Sequence, residues 1–144
     1  MLVQSFPTTA PEETRMKKTI ETTIKVRFDE CDYYMHVNNS VYQNYMDVGI
    51  GDYMRQICPD LRNLTFMIHK VHASIDYLEA AEFEDELLIK TTLASTGNTS
   101  ITFEHEIYKE GTLIVKATII FVMLDVASGE KCSVPEVFLT LEGE

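Results

Sequence analysis

The stretch Asp29-Glu30-Cys31-Asp32-Tyr33-Tyr34-Met35-His36-Val37-Asn38-Asn39-Ser40-Val41-Tyr42-Gln43-Asn44-Tyr45 decides the reading of this chain, because it joins a strand to a helix through a loop rich in carboxylates. Upstream, Thr19 to Phe28 carries apolar residues at Ile20, Ile24, Val26 and Phe28, which marks a strand. Downstream, Ser40 and Gln43 have the spacing of a capping box, so a helix is expected to begin near Ser40. The first turn of such a helix has backbone N–H groups without intrahelical partners and a partial positive charge, which suits a developing oxyanion. Asp32 lies seven residues before Asn39, near enough to fold back over that terminus. A carboxylate and a helix start brought together suit attack on a carbonyl group.

Working outward, Tyr42, Tyr45, Met46, Gly49, Tyr53 and Ile57 recur at helical spacing, and Cys58-Pro59 ends the run. Gly49 and Gly51 weaken that helix, and close approach of neighbouring backbone is the expected reason. The rest reads as strands separated by turns: Thr65 to Tyr77, Leu87 to Ser95, Ser100 to Lys109 and Leu113 to Val126. Gly97-Asn98 suits a tight hairpin with positive φ angles, Glu110-Gly111 makes the next hairpin, and Ser128-Gly129 turns the chain again before a short segment from Pro135. The apolar centre of the last long strand predicts a position in the middle of the sheet, buried on both sides. One long helix after the first strand, then four more antiparallel strands, is an α+β arrangement.

A chain of 144 residues is the size of one domain and buries about two-thirds of its unfolded surface. Its 12 basic and 23 acidic residues give a formal charge of -11, with no dense Lys/Arg cluster, which argues against nucleic acid and anionic membranes as partners. The longest apolar run, Ile119 to Leu124, is far below the ~20 residues of a membrane helix. Cys31, Cys58 and Cys132 form no C-x-x-C pair, so neither a disulfide framework nor a zinc site is indicated and a reducing cytoplasm fits. Residues 1–15, with Pro7 and Pro11 and no basic region ahead of a long apolar stretch, read as a mobile extension rather than a secretory signal.

Asp32, His36, Val37, Asn38, Asn39, Tyr42 and Tyr45 also match, without a gap, the pattern D-x-x-G-H-V-N-N-x-x-Y-x-x-Y-(F/M)-E. In this the chain resembles the 4-hydroxybenzoyl-CoA thioesterase family of the hotdog fold, over about Thr19 to about Phe138. Met35 stands where that pattern has Gly, and Asp47 where it has Glu. The resemblance implies one hotdog domain over 16–144, a five-stranded antiparallel sheet wrapped around one long central helix. It implies an acyl-CoA thioesterase that needs no metal or cofactor and acts on a thioester of CoA or of acyl carrier protein. Asp32 would be nucleophile or general base, and the backbone N–H of Asn39, or of a residue next to it, would hold the oxyanion. His36, Asn38, Tyr42 and Tyr45 would meet the substrate. It also implies a homodimer, with a homotetramer as the larger alternative, joined edge to edge so that two subunits share the site. A hotdog dehydratase, using His36 and Asp47 to move protons, and a non-catalytic acyl-thioester binding module are the competing readings. Met35 beside the carboxylate keeps the second open, because a large side chain there would crowd the acyl entrance.

Plainer roles exist for the same residues. Asp32 is one of three carboxylates in four residues, a pattern common in solvated loops, and Asn38 and Asn39 are favoured at helix starts whatever the function. His36 could bond loop backbone, and Tyr42 and Tyr45 could be core. His69 and His72, three apart on a strand, are expected on opposite faces and so not to share a metal ion. His105 reads as a satisfied or partly buried histidine, and Cys31 has no neighbouring base or cation to make it a thiolate. Asp47 and Asp52, on the helix, are the alternative working carboxylates. Cations for CoA phosphates would come from among Arg55, Arg62, Lys70, Lys90, Lys109, Lys116 and Lys131.

Overall fold

The computed structural model describes residues 19–141; the expected extension over 1–15 lies outside them. Thr19–Lys25 forms β1, Val41–Ile57 the helix α1, Phe66–Tyr77 β2, Glu86–Thr96 β3, Ser100–Lys109 β4, Thr112–Asp125 β5 and Glu136–Leu141 a short α2. The five strands make one antiparallel sheet in the order β1-β3-β4-β5-β2, with α1 packed on one face. This is the α+β hotdog architecture. Among the described residues no helix is long and apolar enough to cross a membrane.

Helix α1 buries Tyr42, Tyr45, Met46, Gly49, Ile50, Tyr53 and Met54, a stripe at three- and four-residue spacing that meets the inward face of the sheet. That inward face is supplied by alternate residues: Leu87, Ile89, Thr91 and Leu93 on β3, Ile101, Phe103, His105 and Ile107 on β4, and Ala117, Ile119, Phe121 and Met123 on β5. The helix stops where Cys58, ahead of Pro59, adopts extended backbone. Strand β5 corrects one expectation: β4, not β5, is central, and Thr118, Ile120, Val122 and Leu124 on its outward face stay partly exposed because α1 covers only one side.

The turns follow their residues with one exception. Glu110 and Gly111 take φ of 50° and 81°, the left-handed pair that a two-residue hairpin between β4 and β5 requires. At Gly97-Asn98 the hairpin closes through Gly97 N–H donating to the Ser100 carbonyl at 2.7 Å, with neither residue at positive φ. The loop is longer than two residues, so the mirror-image turn is not needed.

Gly49 is required by a side chain rather than by backbone. A Cβ there would lie 2.3 Å from Thr91 Oγ1, while Gly51 has nothing nearer than an Arg55 nitrogen at 3.7 Å. Thr91 cannot yield freely, because it is fully buried and its hydroxyl pairs with His105 Nδ1 at 3.1 Å. His105 is fully enclosed, and burial, with the charge of Lys70 adding to it, pulls its pKa down to about 4, so the ring is neutral at physiological pH. Gly49→Ala should therefore lower stability by about 1–3 kcal/mol despite alanine's better helix propensity. Urea denaturation measures this, and an unchanged or raised midpoint would contradict the close packing of α1 on β3.

Candidate functional site

After Lys25 the chain leaves the sheet, three residues earlier than expected, and Phe28–Glu30 forms a single 3-10 turn. Glu30 organises this departure. Its carboxylate accepts the Arg27 backbone N–H at 2.9 Å, the Arg27 guanidinium at 2.9 and 3.0 Å, and the Tyr45 hydroxyl from α1 at 2.7 Å. Burial pushes the Glu30 carboxyl upward, but the bonds from Arg27 and Tyr45 together hold it below its ordinary pKa. The same contact, with burial as the larger cause, raises the Tyr45 phenol well above its usual value, so Tyr45 remains a donor.

The loop beyond is a closed hairpin tip. Cys31 and Val37 form a bridge, Asp32 N–H donates to the His36 carbonyl at 2.7 Å, and Met35 N–H donates to the Asp32 carbonyl at 3.0 Å. Asp32 Oδ1 accepts the backbone N–H groups of Tyr34 at 2.8 Å and His36 at 3.1 Å. Its other oxygen, Oδ2, has no hydrogen bond among the described residues and faces an exposed surface. Met35 closes this tip at φ 66°, a left-handed conformation that costs a residue with a Cβ. The glycine of the resembled pattern thus has a physical reason, and this chain keeps the geometry without it.

The helix start is strapped to the base of the same loop. Asn38 N–H donates to the Glu30 carbonyl at 3.1 Å and Val37 N–H to the Ala81 carbonyl at 2.9 Å. Val41 and Tyr42 N–H return to the carbonyls of Asn38 and Asn39 at 2.9 and 3.4 Å. Among the described residues, the N–H groups of Asn39 and Ser40 are left without an acceptor. The expected capping box is absent: Ser40 already has helical dihedrals and makes no side-chain cap bond, and the Gln43 carbonyl oxygen instead accepts Lys70 Nζ at 3.2 Å.

The other sequence candidates separate. Tyr42 is buried, and its hydroxyl accepts Ala81 N–H at 3.0 Å. His36 Nε2 lies 3.6 Å from Glu82. Asp47 is ion-paired with Lys70 at 3.1 Å, and Asp52 accepts the Thr22 hydroxyl at 2.6 Å and pairs with Arg55. Burial first, then the charges of Asp32 and Glu30, push the Cys31 thiol upward, away from thiolate chemistry.

His69 and His72 overturn the expectation of opposite faces. A bulge at Val71 inserts one residue, so His69 pairs with Val122 and His72 with Ile120, and both rings project from the face away from α1. Even so, no three metal-ligating side chains are grouped among the described residues. Sequence reasoning missed Glu30 as an anchor and Tyr77, whose hydroxyl donates to the Asn39 carbonyl at 3.3 Å. The only signal for the first was the Arg27-x-x-Glu30 spacing; the second had none, being 38 residues from its partner.

The site is open in one chain. Of the twelve exposed large apolar side chains among the described residues, Phe28, Tyr33, Tyr34, Met35, Leu78 and Phe83 lie in the loop and in the β2–β3 connection that bonds to it, and Tyr77 ends β2 beside them. A 310 Å³ cleft lined by Ile24, Lys25, Arg27, Glu30, Tyr45 and Val48 adjoins the loop base, but Asp32 is outside it.

The model of the thioesterase-like superfamily matches residues 26–140, a span that takes in this loop, the helix and all the strands after it. The chain belongs to this superfamily. It is 28% identical, over 65% of its own length, to a chloroplastic acyl-acyl carrier protein thioesterase of Arabidopsis thaliana, and it spans about half of that relative (51%). Among solved structures it resembles a 1,4-dihydroxy-2-naphthoyl-CoA thioesterase from Synechocystis, with a TM-score of 0.79 and 20% identity over 88% of this chain and 97% of that one. A Staphylococcus aureus protein solved in complex with CoA gives 0.79 and 15%, over 89% and 84%. At these identities the structures establish the shared fold.

Met35 offers a direct check of the loop geometry. Replacing it with Gly removes a left-handed penalty of about 1–2 kcal/mol and adds roughly 0.5–1 kcal/mol of unfolded-chain entropy, so Met35→Gly should stabilise by about 0.5–1 kcal/mol. A lower urea midpoint for Met35→Gly than for the parent would show that the loop does not hold a left-handed residue there.

Proposed function

We propose that this chain is an acyl-CoA thioesterase of the 4-hydroxybenzoyl-CoA thioesterase type, acting in a reducing compartment such as the cytoplasm. The observation that carries the proposal is the divided state of the Asp32 carboxylate: Oδ1 is held by two backbone N–H groups, and Oδ2 has no partner among the described residues. Asp52 has both carboxylate oxygens engaged, by the Thr22 hydroxyl and by Arg55, and Asp47 is ion-paired through Oδ1 with Lys70, whereas Asp32 has no such cation beside it among the described residues. In the reaction, Oδ2 attacks the thioester carbonyl carbon, or takes a proton from a water that attacks it. The carbonyl oxygen becomes an oxyanion held by the N–H groups of Asn39 and Ser40; as it collapses the C–S bond breaks, and the thiolate takes the proton that Asp32 removed from water or, on the nucleophilic route, one from solvent water. If an acyl-aspartyl anhydride forms, water cleaves it to regenerate Asp32 and the free acid. Tyr42 and Tyr45 shape the site from beneath, and His36 and Asn38 border it.

The dehydratase alternative needs His36 and Asp47 to work together, and each is engaged by a different partner, Glu82 and Lys70. For the carrier's phosphates, Arg62, Lys90, Lys116 and Lys131 are the cations with no carboxylate in ion-pair range among the described residues.

Thiol release measured across a panel of acyl-CoAs tests the proposal. Asp32→Asn should lower the rate ~100-fold or more, the scale of one general base or nucleophile, with an unchanged melting temperature. Asn39→Ala should cost far less, since its backbone donor persists. Saturable binding of acyl-CoA without turnover by the parent protein would convert the reading to a binding module.

The same proposal includes a homodimer at minimum, with a homotetramer as the alternative. Edge strand β2 runs for twelve residues with Met67, Val71 and Tyr77 exposed, whereas the other edge, β1, is seven residues long and exposes Thr19, Glu21, Thr23 and Lys25. A long uncovered apolar edge beside an open site calls for a second copy to pair with it and wall the site. Sedimentation at micromolar concentration should give at least twice the chain mass, and a fully active monomer would eliminate the shared site.

A further inference from the structure

Helix α1 begins with two N–H groups that have no acceptor among the described residues, and only one of them belongs to a peptide that a side chain holds. The Asn38 carbonyl, across the peptide from Asn39 N–H, accepts Val41 N–H at 2.9 Å, an ordinary turn bond. The Asn39 carbonyl, across the peptide from Ser40 N–H, accepts a longer bond from Tyr42 N–H at 3.4 Å and a second from the Tyr77 hydroxyl at 3.3 Å. A peptide is planar and trans, so fixing its C=O fixes the direction of its N–H. A donor on the carbonyl also polarises the peptide, making the N–H a stronger donor.

Tyr77 is well placed to do this. It is the last residue of β2, and its backbone is locked to Val115 of β5. Its ring leans on Tyr42, centroid to centroid 5.7 Å, and the Tyr42 hydroxyl in turn receives Ala81 N–H from the β2–β3 connection. The phenol therefore reaches the helix start from a rigid sheet rather than from a loop. Being 44% exposed, it adds little to the core, so its hydroxyl has no evident packing purpose.

We infer that Tyr77 is a positioning residue for the thioester carbonyl: its hydroxyl, through the Asn39–Ser40 peptide, aims and strengthens the Ser40 N–H as the second oxyanion donor beside Asn39 N–H. The inference rests on the proposed thioesterase reading. It makes the oxyanion site a two-donor site whose second half depends on a residue from the sheet.

Two non-hydrolysable ligands separate this from a structural role. One is a ketone analogue of an acyl-CoA in which a methylene replaces the thioester sulfur, so the carbonyl oxygen remains. The other is an S-alkyl-CoA thioether, which lacks that oxygen. The parent protein should bind the ketone more tightly than the thioether. Tyr77→Phe should lose about three- to tenfold in ketone affinity and in kcat, less than removing a donor outright, with thioether affinity and melting temperature unchanged. Full retention of the ketone preference and of kcat in Tyr77→Phe would overturn the inference. An equal loss for both ligands, or a lowered melting temperature, would reduce Tyr77 to a structural tether and overturn it as well. A parent protein that neither releases thiol nor distinguishes the ligands would remove the thioesterase reading itself, and the inference with it.

Discussion

The carboxylate of Glu30 is the contact on which the arrangement of the site depends. It gathers the Arg27 backbone, the Arg27 guanidinium and the Tyr45 hydroxyl into one cluster, joining the end of β1 to the middle of α1's first turns. A carboxylate this enclosed is costly unless its lone pairs are satisfied, and here backbone, cation and phenol satisfy them together. Glu30's own carbonyl then accepts Asn38 N–H, so one residue fixes both the base of the Asp32 loop and the residue before Asn39 and Ser40. Loss of this anchor would leave the hairpin tip intact, since its bonds are internal, but would uncouple it from the helix.

A second constraint comes from the β2–β3 connection. Ala81 receives Val37 N–H on its carbonyl and sends its own N–H to Tyr42, while Phe83 N–H donates to the Met35 carbonyl at 3.0 Å. The loop is thus clamped between helix and connection, and its tip tolerates a left-handed methionine because backbone bonds on both sides hold it there. The apolar side chains around Asp32 are left without cover by the same clamp, which orients the loop outward from the core. That exposure is the physical motive for the proposed second copy.

Much of the architecture follows from local pattern. The stripe from Tyr42 to Met54, the stop at Cys58-Pro59, the alternation of β3, β4 and β5, and the Glu110-Gly111 hairpin each express a steric or periodic rule acting within a few residues. The loop between Asp29 and Asn39 was likewise legible as a carboxylate ahead of a helix start. Errors arose where a distant residue intervened. Lys70 from β2 takes the Gln43 side chain out of its capping role, the one-residue bulge at Val71 turns His69 and His72 to one face, and a single covering helix leaves β5 half open.

By itself the sequence determined the order of elements and the buried face of α1, because periodicity and turn chemistry are properties of neighbouring residues. Only the tertiary structure decided which oxygen of Asp32 is held by backbone N–H groups, which two N–H groups lack acceptors among the described residues, and that Thr91 excludes a side chain at position 49. It also brought Tyr77 to Asn39 across 38 residues. The division has one physical cause: a hydrogen-bond partner is set by which groups folding brings within about 3 Å, and short-range pattern carries no record of that.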